Sequence, residues 1–257
     1  LVDMGMLEGV DTAAHARSAY AQLRALGFPE AALANNATNV AADLWRAVSV
    51  TYLQAAARAG ADEQVCGFRF AHVGPDGQPR VATDADRGNW FATASGIAPT
   101  ASIQIIGPTG APEDPALAGI QCLRKAYESP DELGQRIRQG EREVRATGRL
   151  PERPVVIIHG REDGLIPVGA TARPYVESAL RHGATRLSYW EIQHAQHFDG
   201  FLMQPAYAAR FVPLLPYFYQ ALDQVSAHLD GAAAPAPSQV VRTRRRGAAP
   251  DGSVPQL

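Results

Sequence analysis

The sequence predicts an α/β fold, in which helices cover a parallel β-sheet. A continuous apolar and β-branched run at residues 154–158 is typical of a parallel strand that is buried on both faces. A polar loop, a helical segment at 170–181, a second strand-like segment at 186–192 and another polar loop follow it. Apolar residues at 211–229 then lie along one stripe of a terminal helix. This order indicates strand–helix–strand units of a single sheet.

The composition of the 257-residue chain fits a globular protein with a large core. Apolar residues make up 46% of the chain and charged residues 19%, and the formal net charge is -2 at pH 7. This balance gives no general electrostatic attraction to nucleic acid or to an anionic membrane. No apolar run reaches the roughly 18 residues of a membrane-spanning helix. We therefore expect a small-molecule substrate, no nucleic-acid partner, no membrane span and no cofactor, and the oligomeric state is left open.

Residues 1–150 are predicted to form a mainly helical and irregular inserted region that resembles a lid. Thr12 can cap a first helix, which ends at Leu26 before Gly27. A second amphipathic helix is predicted at 39–59. Its apolar stripe comprises Val40, Leu44, Val48, Tyr52 and Ala55.

The rest of this region changes character. Residues 64–83 hold β-prone runs on either side of a Gly- and Pro-rich turn, which predicts a hairpin. Residues 84–129 show weak periodicity and are expected to be irregular. A polar helix is predicted from 130 to 147. Cys66 and Cys122 allow at most one intrachain disulfide, and two free, buried thiols are the alternative.

The C-terminal part divides into two predicted segments. Residues 151–230 contain the strands and helices of the sheet. Pro213 and Pro216 must lie near the first turn of the terminal helix, because proline inside a helix would kink it. Residues 231–257 are rich in Ala, Pro and Arg, and they are predicted to form a flexible tail.

Asp163 lies in the loop after the first predicted strand of this sheet. The carboxyl ends of parallel strands open onto a crevice where functional groups collect. In a Ser-His-Asp triad, such a carboxylate accepts the imidazole N–H and fixes the tautomer. An aspartate at this position can equally cap its own turn through backbone N–H groups. Glu162 is a rival carboxylate.

His197 lies in the loop after the second predicted strand, so we expect it at the same edge of the sheet as Asp163. Acid loop, helix, strand and histidine loop follow each other in this order at the end of an α/β-hydrolase. We therefore predict that Asp163 and His197 are the acid and base of a catalytic triad. His194 is a competing base, and a packed structural histidine is the other interpretation.

A metal site is a further hypothesis for this loop, since His194, His197 and Asp199 are potential ligands. No second cluster of ligands accompanies them, so the triad is favoured. His159, at the end of the first strand, is expected to pack or hydrogen-bond near this edge without a catalytic step.

The nucleophile of such a triad is expected in a Gly-x-Ser-x-Gly turn between a strand and a helix. No such turn occurs in the sequence, and Ser95 lacks the first glycine and the flanking elements, so it is interpreted as a loop serine. We therefore expect the nucleophile, the oxyanion donors and any signal peptide upstream of Leu1. The chain is interpreted as the C-terminal part of a longer serine hydrolase, and this fragment alone is expected to be inactive.

Several runs of the sequence are more distinctive than this general order. They are Pro154-Val155-Val156-Ile157-Ile158-His159-Gly160-Arg161, Ala195-Gln196-His197-Phe198-Asp199, Phe211-Val212-Pro213-Leu214 and Pro237-Ser238-Gln239-Val240-Val241-Arg242-Thr243. With these runs the chain resembles the bacterial D-(-)-3-hydroxybutyrate oligomer hydrolases over most of its length. The resemblance implies a secreted serine esterase that cuts dimers and short oligomers of (R)-3-hydroxybutyrate during degradation of the storage polyester polyhydroxybutyrate.

The resemblance also implies a mechanism. An upstream serine attacks the ester carbonyl, His197 takes and returns the proton, and Asp163 orients His197. Residues 60–130 would cover the site and contact apolar faces of the substrate. The aromatic candidates are Phe68, Phe70, Trp90 and Phe91, and a place in the hydrophobic core is the commoner alternative for aromatic residues at such spacing. The alternative function is that of an α/β module without a nucleophile, which binds a ligand or partner without turnover.

Overall fold

The chain forms two compact units in a computed structural model. The structure describes residues 2, 5–33, 36–41, 44–60, 63–74, 76–91, 103–108, 117–248 and 253. One unit comprises Leu1–Ala41 and Ala146–Leu257, and the other comprises Ala42–Arg145. The predicted boundary at residue 150 lies near Ala146, whereas Leu1–Ala41 groups with the C-terminal residues. A lid-like role for residues 1–150 stays a prediction.

The helices and strands follow one another in the order α1 (Thr12–Ala25), α2 (Glu30–Leu33), α3 (Asn36–Ala41), α4 (Leu44–Ala57), β1 (Arg69–Val73), β2 (Pro79–Val81), α5 (Asp84–Phe91), β3 (Ile103–Ile106), α6 (Leu117–Glu128), α7 (Glu132–Val144), β4 (Val155–Gly160), α8 (Ala172–Arg181), β5 (Leu187–Ile192), a 3-10 helix (Asp199–Met203), α9 (Pro205–Ala208), α10 (Leu215–Leu229) and β6 (Gln239–Val241). Helix and sheet are therefore mixed, which is compatible with the predicted α/β class.

A parallel sheet in the order β4-β5-β6 lies in the first unit. The two predicted strands are confirmed as β4 and β5, and α8 connects them. Helix α10 packs against β4, and Pro216 lies in its first turn, as predicted. The buried core of this sheet comprises Trp190, Ile192, Ala195, Val212 and Ala221.

The prediction of a flexible tail from residue 231 is wrong for residues 239–241, which form β6. Neighbouring side-chain hydrogen bonds hold the segment before it: the indole N–H of Trp190 donates to the carbonyl oxygen of Ala236 at 3.1 Å, and the backbone N–H of Tyr189 donates to Ser238 Oγ at 3.0 Å. The segment therefore gains its order from β5 and not from its own composition.

The second unit combines helices with an antiparallel sheet in the order β2-β1-β3. The predicted hairpin is confirmed by the pairing of β1 with β2. Residues 84–129 were expected to be irregular, but they contain α5, β3 and α6. The buried core comprises Val50, Ala57, Ala59, Val65, Phe68, Leu123, Ala126 and Ile137.

The predicted helix at 39–59 is divided into α3 and α4, and its buried stripe is placed differently. Val40 is 65% exposed and Tyr52 is 72% exposed. The buried positions of α4 are Val50, Gln54 and Ala57. Gln54 can be buried because its side-chain N–H donates to the carbonyl oxygen of Phe68 at 3.0 Å.

The N-cap of α1 also differs from the prediction, since Asp11 and not Thr12 accepts the N–H of Ala14.

Cys66 and Cys122 form a disulfide, which settles the alternative that the sequence leaves open. The bond joins the segment before β1 to α6. Phe68 is buried in the core of this unit, so the core alternative holds for this residue and the expected contact with a substrate does not. The described helices include none with the length and apolar character needed to cross a bilayer.

Helix α7 approaches α4 closely at Gly140. A Cβ atom added there would overlap the carbonyl oxygen of Ala56 and would lie 2.8 Å from its carbonyl carbon. Gly140→Ala is therefore expected to destabilise the protein by about 1–3 kcal/mol, because the two backbones must separate. Urea unfolding of the variant checks this.

The matched control is Gly88→Ala in α5, where an added Cβ would meet no atom of the described residues within 4 Å. Alanine is a better helix former than glycine, so this variant should gain about 0.5–1 kcal/mol. Equal stability changes for the two variants would contradict a tight contact at Gly140.

Candidate active site

Asp163 lies in the loop directly after β4, which we call the acid loop (residues 161–167), and it is only 2% exposed. Its Oδ1 atom accepts the backbone N–H groups of Leu165 and Ile166, both at 2.8 Å. Its own N–H donates to the carbonyl oxygen of Gly160 at 3.1 Å. Asp163 thus caps its own turn, as one of the two sequence interpretations states. The other carboxylate oxygen, Oδ2, takes no part in this cap.

His197 lies beside that second oxygen, in the loop after β5, which we call the histidine loop (residues 193–198). The distance between His197 Nδ1 and Asp163 Oδ2 is 2.8 Å. A carboxylate can only accept, so Nδ1 carries the proton and Nε2 presents a lone pair. Within the described ranges, Nε2 of His197 has no hydrogen-bond partner. The structure therefore brings together the two residues that the sequence selects.

His159 adds a contact that the sequence analysis missed. Its Nε2 atom lies 3.2 Å from Asp163 Oδ2 and 3.0 Å from the carbonyl oxygen of Ile166. The sequence places this residue near the active edge but gives no sign that it reaches the carboxylate. Oδ2 of Asp163 is consequently shared between two imidazole rings.

These contacts determine the pKa of Asp163. Burial alone would raise the pKa of a carboxyl group, because it disfavours the charged form. Hydrogen bonds from His159, His197 and Ile166 outweigh burial and lower the pKa of Asp163 to about 2. Asp163 is therefore a carboxylate throughout the neutral pH range.

Backbone contacts hold the acid loop against the histidine loop. The N–H of Arg161 donates to the carbonyl oxygen of Ile192 at 2.8 Å, and that of Glu162 donates to Ala195 at 3.0 Å. Gly160 permits this approach, since a Cβ there would lie 2.6 Å from the Ala195 carbonyl oxygen. The geometry of the Asp163 and His197 side chains thus depends on fixed backbone positions.

His194, the competing base, has different partners. Its Nδ1 atom lies 3.1 Å from Thr243 Oγ1, whose hydroxyl donates to the carbonyl oxygen of Gln193. Its Nε2 atom lies 3.9 Å from Glu162 Oε1. The rival base and the rival carboxylate therefore face each other, and His194 ties the histidine loop to the segment after β6.

Asp199 caps the start of α10. Its carboxylate accepts the N–H of Leu214 at 2.8 Å and that of Leu215 at 2.8 Å. His194, His197 and Asp199 thus engage separate partners. In the part of the chain that the structure describes, no three His, Cys, Asp or Glu side chains are grouped as metal ligands. The three candidate metal ligands are therefore not grouped among these residues, and the triad stays a prediction.

An aromatic row begins at His197 and runs into the interior. The rings of His197 and Phe198 are edge to face with centroids 4.4 Å apart. The row continues through Phe198, Phe201, Tyr207 and Phe211. Burial, together with the negative charges of Asp163 and Asp199, raises the pKa of Tyr207. The row packs one side of the imidazole and leaves Phe198 partly exposed.

A second buried carboxylate, Glu191, lies on β5 opposite His159 in the strand register. Arg173 of α8 donates to both of its oxygens, at 2.9 and 2.6 Å, and Arg161 lies 3.1 Å from Oε1. Burial raises the pKa of Glu191, but the hydrogen bonds and charge of Arg173 outweigh burial and lower it. This ion pair fixes α8 on the sheet next to the acid loop.

Comparison with known proteins gives a consistent picture. The model of the family described as 3HB-oligomer hydrolase matches residues 1–257. A protein of Paracidovorax citrulli (strain AAC00-1) named D-(-)-3-hydroxybutyrate oligomer hydrolase is 38% identical over 98% of this chain and 38% of its own length. A protein of the same name from Cupriavidus necator is 33% identical over 100% of this chain and 38% of its own length.

A third protein of that name, from Azoarcus sp. (strain BH72), is 38% identical over 80% of this chain and 32% of its own length. The chain thus spans 38% or less of the length of these curated relatives. No solved structure matches it.

The depressed pKa of Asp163 predicts a pH dependence of stability. Its value of about 2 in the folded protein lies below the ordinary 3.8. The charged group therefore stabilises the folded state by about 2 kcal/mol above the ordinary pKa, and this contribution is lost as the pH falls toward 2. Asp163→Asn should be less stable than the wild type at pH 7, and the difference should shrink between about pH 4 and 2.

Urea unfolding at a series of pH values measures this difference. Asp223→Asn on the exposed side of α10 is the matched control, and it should behave like the wild type throughout. A difference between wild type and Asp163→Asn that is the same at pH 7 and pH 3 would contradict the stabilising role of the carboxylate.

Proposed function

This chain belongs to the 3HB-oligomer hydrolase family, and we propose that the natural protein containing it cleaves (R)-3-hydroxybutyrate dimers and oligomers to monomers. The proposed reaction is serine-type hydrolysis of a carboxylic ester. The observation that carries the proposal is the 2.8 Å hydrogen bond between His197 Nδ1 and Asp163 Oδ2, which leaves Nε2 with a lone pair. The names of the relatives supply the substrate.

In the proposed mechanism, Nε2 of His197 removes the proton of a serine hydroxyl while the serine oxygen attacks the ester carbonyl. The same proton then passes to the ester oxygen of the leaving alcohol, as the bond from that oxygen to the acyl carbon breaks. His197 then takes a proton from water, whose oxygen attacks the carbonyl carbon of the acyl-serine. As the bond from that carbon to the serine oxygen breaks, His197 gives the proton to the serine oxygen, and the acid product is released. Asp163 remains ionised through these steps, consistent with its pKa of about 2, and it stabilises the imidazolium that forms on His197.

The nucleophile and the oxyanion donors are proposed to lie N-terminal to this sequence, in an α/β-hydrolase sheet to which β4, β5 and β6 contribute. Ser95 lies outside the described residues. The 257 residues alone are then expected to be inactive, because they supply only the acid and the base. Residues 1–150 act in this proposal as the lid over an apolar ester, with Phe70, Trp90 and Phe91 as candidate contacts. The side chains of Trp90 and Phe91 lie outside the described part of the structure.

Secretion is proposed as well. The disulfide between Cys66 and Cys122 supports it, because such bonds persist in oxidising compartments and are rare in the cytosol.

His197→Ala in the natural full-length protein is expected to lower kcat for the dimer ester by about 10³-fold or more, because both proton transfers lose their base. His194→Ala is the matched control from the same loop. It should change kcat by less than about tenfold, since His194 is bonded to Thr243 and faces Glu162. Titration of the released acid measures both rates.

If His197→Ala retains a near-normal rate, the assignment of the base is wrong. A wild-type protein that binds the dimer without cleaving it would instead support the module without turnover.

A fluorophosphonate probe is expected to label one serine in the full-length wild-type protein, and labelling should be lost in His197→Ala because the hydroxyl is no longer activated. Peptide mapping by mass spectrometry identifies the labelled residue. The expected site precedes this sequence. Hydrolysis of the ester without any labelled serine would exclude the serine mechanism.

A further inference from the structure

Two imidazole rings reach the same oxygen of Asp163. His197 Nδ1 lies 2.8 Å from Oδ2, and His159 Nε2 lies 3.2 Å from it. The other oxygen, Oδ1, is occupied by two backbone N–H groups of the acid loop. The carboxylate that orients His197 is thus also held by a histidine outside the proposed triad.

The protonation of His159 follows from its partners. Its Nε2 atom faces the carboxylate at 3.2 Å and the carbonyl oxygen of Ile166 at 3.0 Å, and both groups can only accept. Nε2 must therefore carry a hydrogen, which the two acceptors share. His159 acts here as a donor and cannot serve as a base through this atom.

We propose that His159 is a positioning residue that divides the charge of Asp163 Oδ2 with His197, and so sets how strongly the carboxylate holds the His197 imidazolium. This inference rests on the proposed function, in which His197 is the base. A donor on Oδ2 withdraws part of the negative charge that would otherwise act on His197. The base then releases its proton more readily than it would beside a carboxylate with one imidazole partner.

The hydrogen bond from His159 to the carbonyl oxygen of Ile166 is not the only side-chain contact that closes the acid loop. Thr171 Oγ1 also donates to this turn, at 2.9 Å to the carbonyl oxygen of Pro167 and at 3.4 Å to that of Ile166. The loop therefore has a second tie that never touches the carboxylate. Thr171 offers a way to separate loop closure from the effect on Asp163.

Other charged and titratable groups lie on the acid loop itself and on the neighbouring elements of this unit. They are Tyr207 of α9, Asp199 of the 3-10 helix, Arg161 and Glu162 of the acid loop, Arg173 of α8, Tyr189 and Glu191 of β5, and His194 of the histidine loop. Glu191 is compensated by two arginines, and Glu162 faces His194. Among the described residues, only His159 and His197 place a side-chain donor on Oδ2.

The test compares two substitutions in the natural full-length protein. His159→Gln keeps a donor, because the amide Nε2 of glutamine lies as many bonds from Cα as Nε2 of histidine. His159→Phe removes the donor and keeps a planar ring. The acid limb of the profile of kcat/KM against pH should move to higher pH by about half a unit or more in His159→Phe, and by less than half that in His159→Gln.

Thr171→Val serves as the matched control, since it loosens the same turn without altering the contacts of Oδ2. It should lower the urea midpoint and leave the acid limb in place. An acid limb in His159→Phe that coincides with that of the wild type, alongside lower stability, would overturn the proposal and leave His159 with loop closure alone.

A measurement on the wild-type protein covers the case in which His159→Phe does not fold. Nitrogen-15 NMR of histidine-labelled protein at neutral pH should show His159 with its hydrogen on Nε2 and not on Nδ1 alone. The opposite tautomer would overturn the proposal without any substitution. If the protein instead lacks esterase activity but His159 shows the expected tautomer, the proposed function has failed while the contact with Asp163 has not.

Discussion

The parallel pairing of β4 with β5 is the constraint on which the candidate site depends. The pairing ends with Gly160 beside Ile192, and the chain continues it through the bonds of Arg161 and Glu162 to the opposite loop. A one-residue shift of register would turn the side chains that follow to the other face of the sheet. Because Gly160 has no side chain, the acid loop and the histidine loop can lie against each other. The 2.8 Å contact between Asp163 and His197 is thus a consequence of backbone geometry.

Hydrogen bonds offset the unfavourable free energy of burying the Asp163 carboxylate. An isolated carboxylate in the interior would be strongly destabilising. Two backbone N–H groups satisfy Oδ1, and two imidazole N–H groups satisfy Oδ2. Both oxygens are therefore saturated, which explains why the carboxyl group remains ionised in spite of burial. It also explains why the cap and the triad interpretations, which the sequence sets against each other, are compatible in one side chain.

Sequence patterns predicted the elements whose burial has a simple period. The apolar run of β4, the connecting helix α8 and the stripe of α10 were found for this reason. The patterns failed where contacts with distant segments determine which side chains are buried. Tyr52 lies on the predicted stripe of α4 but is exposed, whereas Gln54 is buried because a carbonyl group of another segment accepts its N–H. Strand β6 pairs with its neighbour β5, and its two valines are too short a signal to predict a strand within an Ala-, Pro- and Arg-rich segment.

The candidate site was also only partly predictable from sequence patterns. It contains two neighbouring buried carboxylates, Asp163 and Glu191, with different roles. Spacing selected Asp163 and His197 because their loops follow neighbouring strands, but it could not show that His159 reaches the same oxygen. Glu191 on the next strand is compensated by two formal cations, so its charge is committed to holding α8.

Asp163, within the described part of the chain, has only backbone and imidazole N–H groups as partners. These donors stabilise the carboxylate without supplying a permanent arginine or lysine charge. Much of its field thus remains available to an imidazolium that forms beside it. A carboxylate already paired with arginine, such as Glu191, would stabilise that imidazolium far less. The pairing of Arg161 and Arg173 with Glu191 and not with Asp163 therefore matters to the proposed chemistry, together with the short contact of Asp163 with His197.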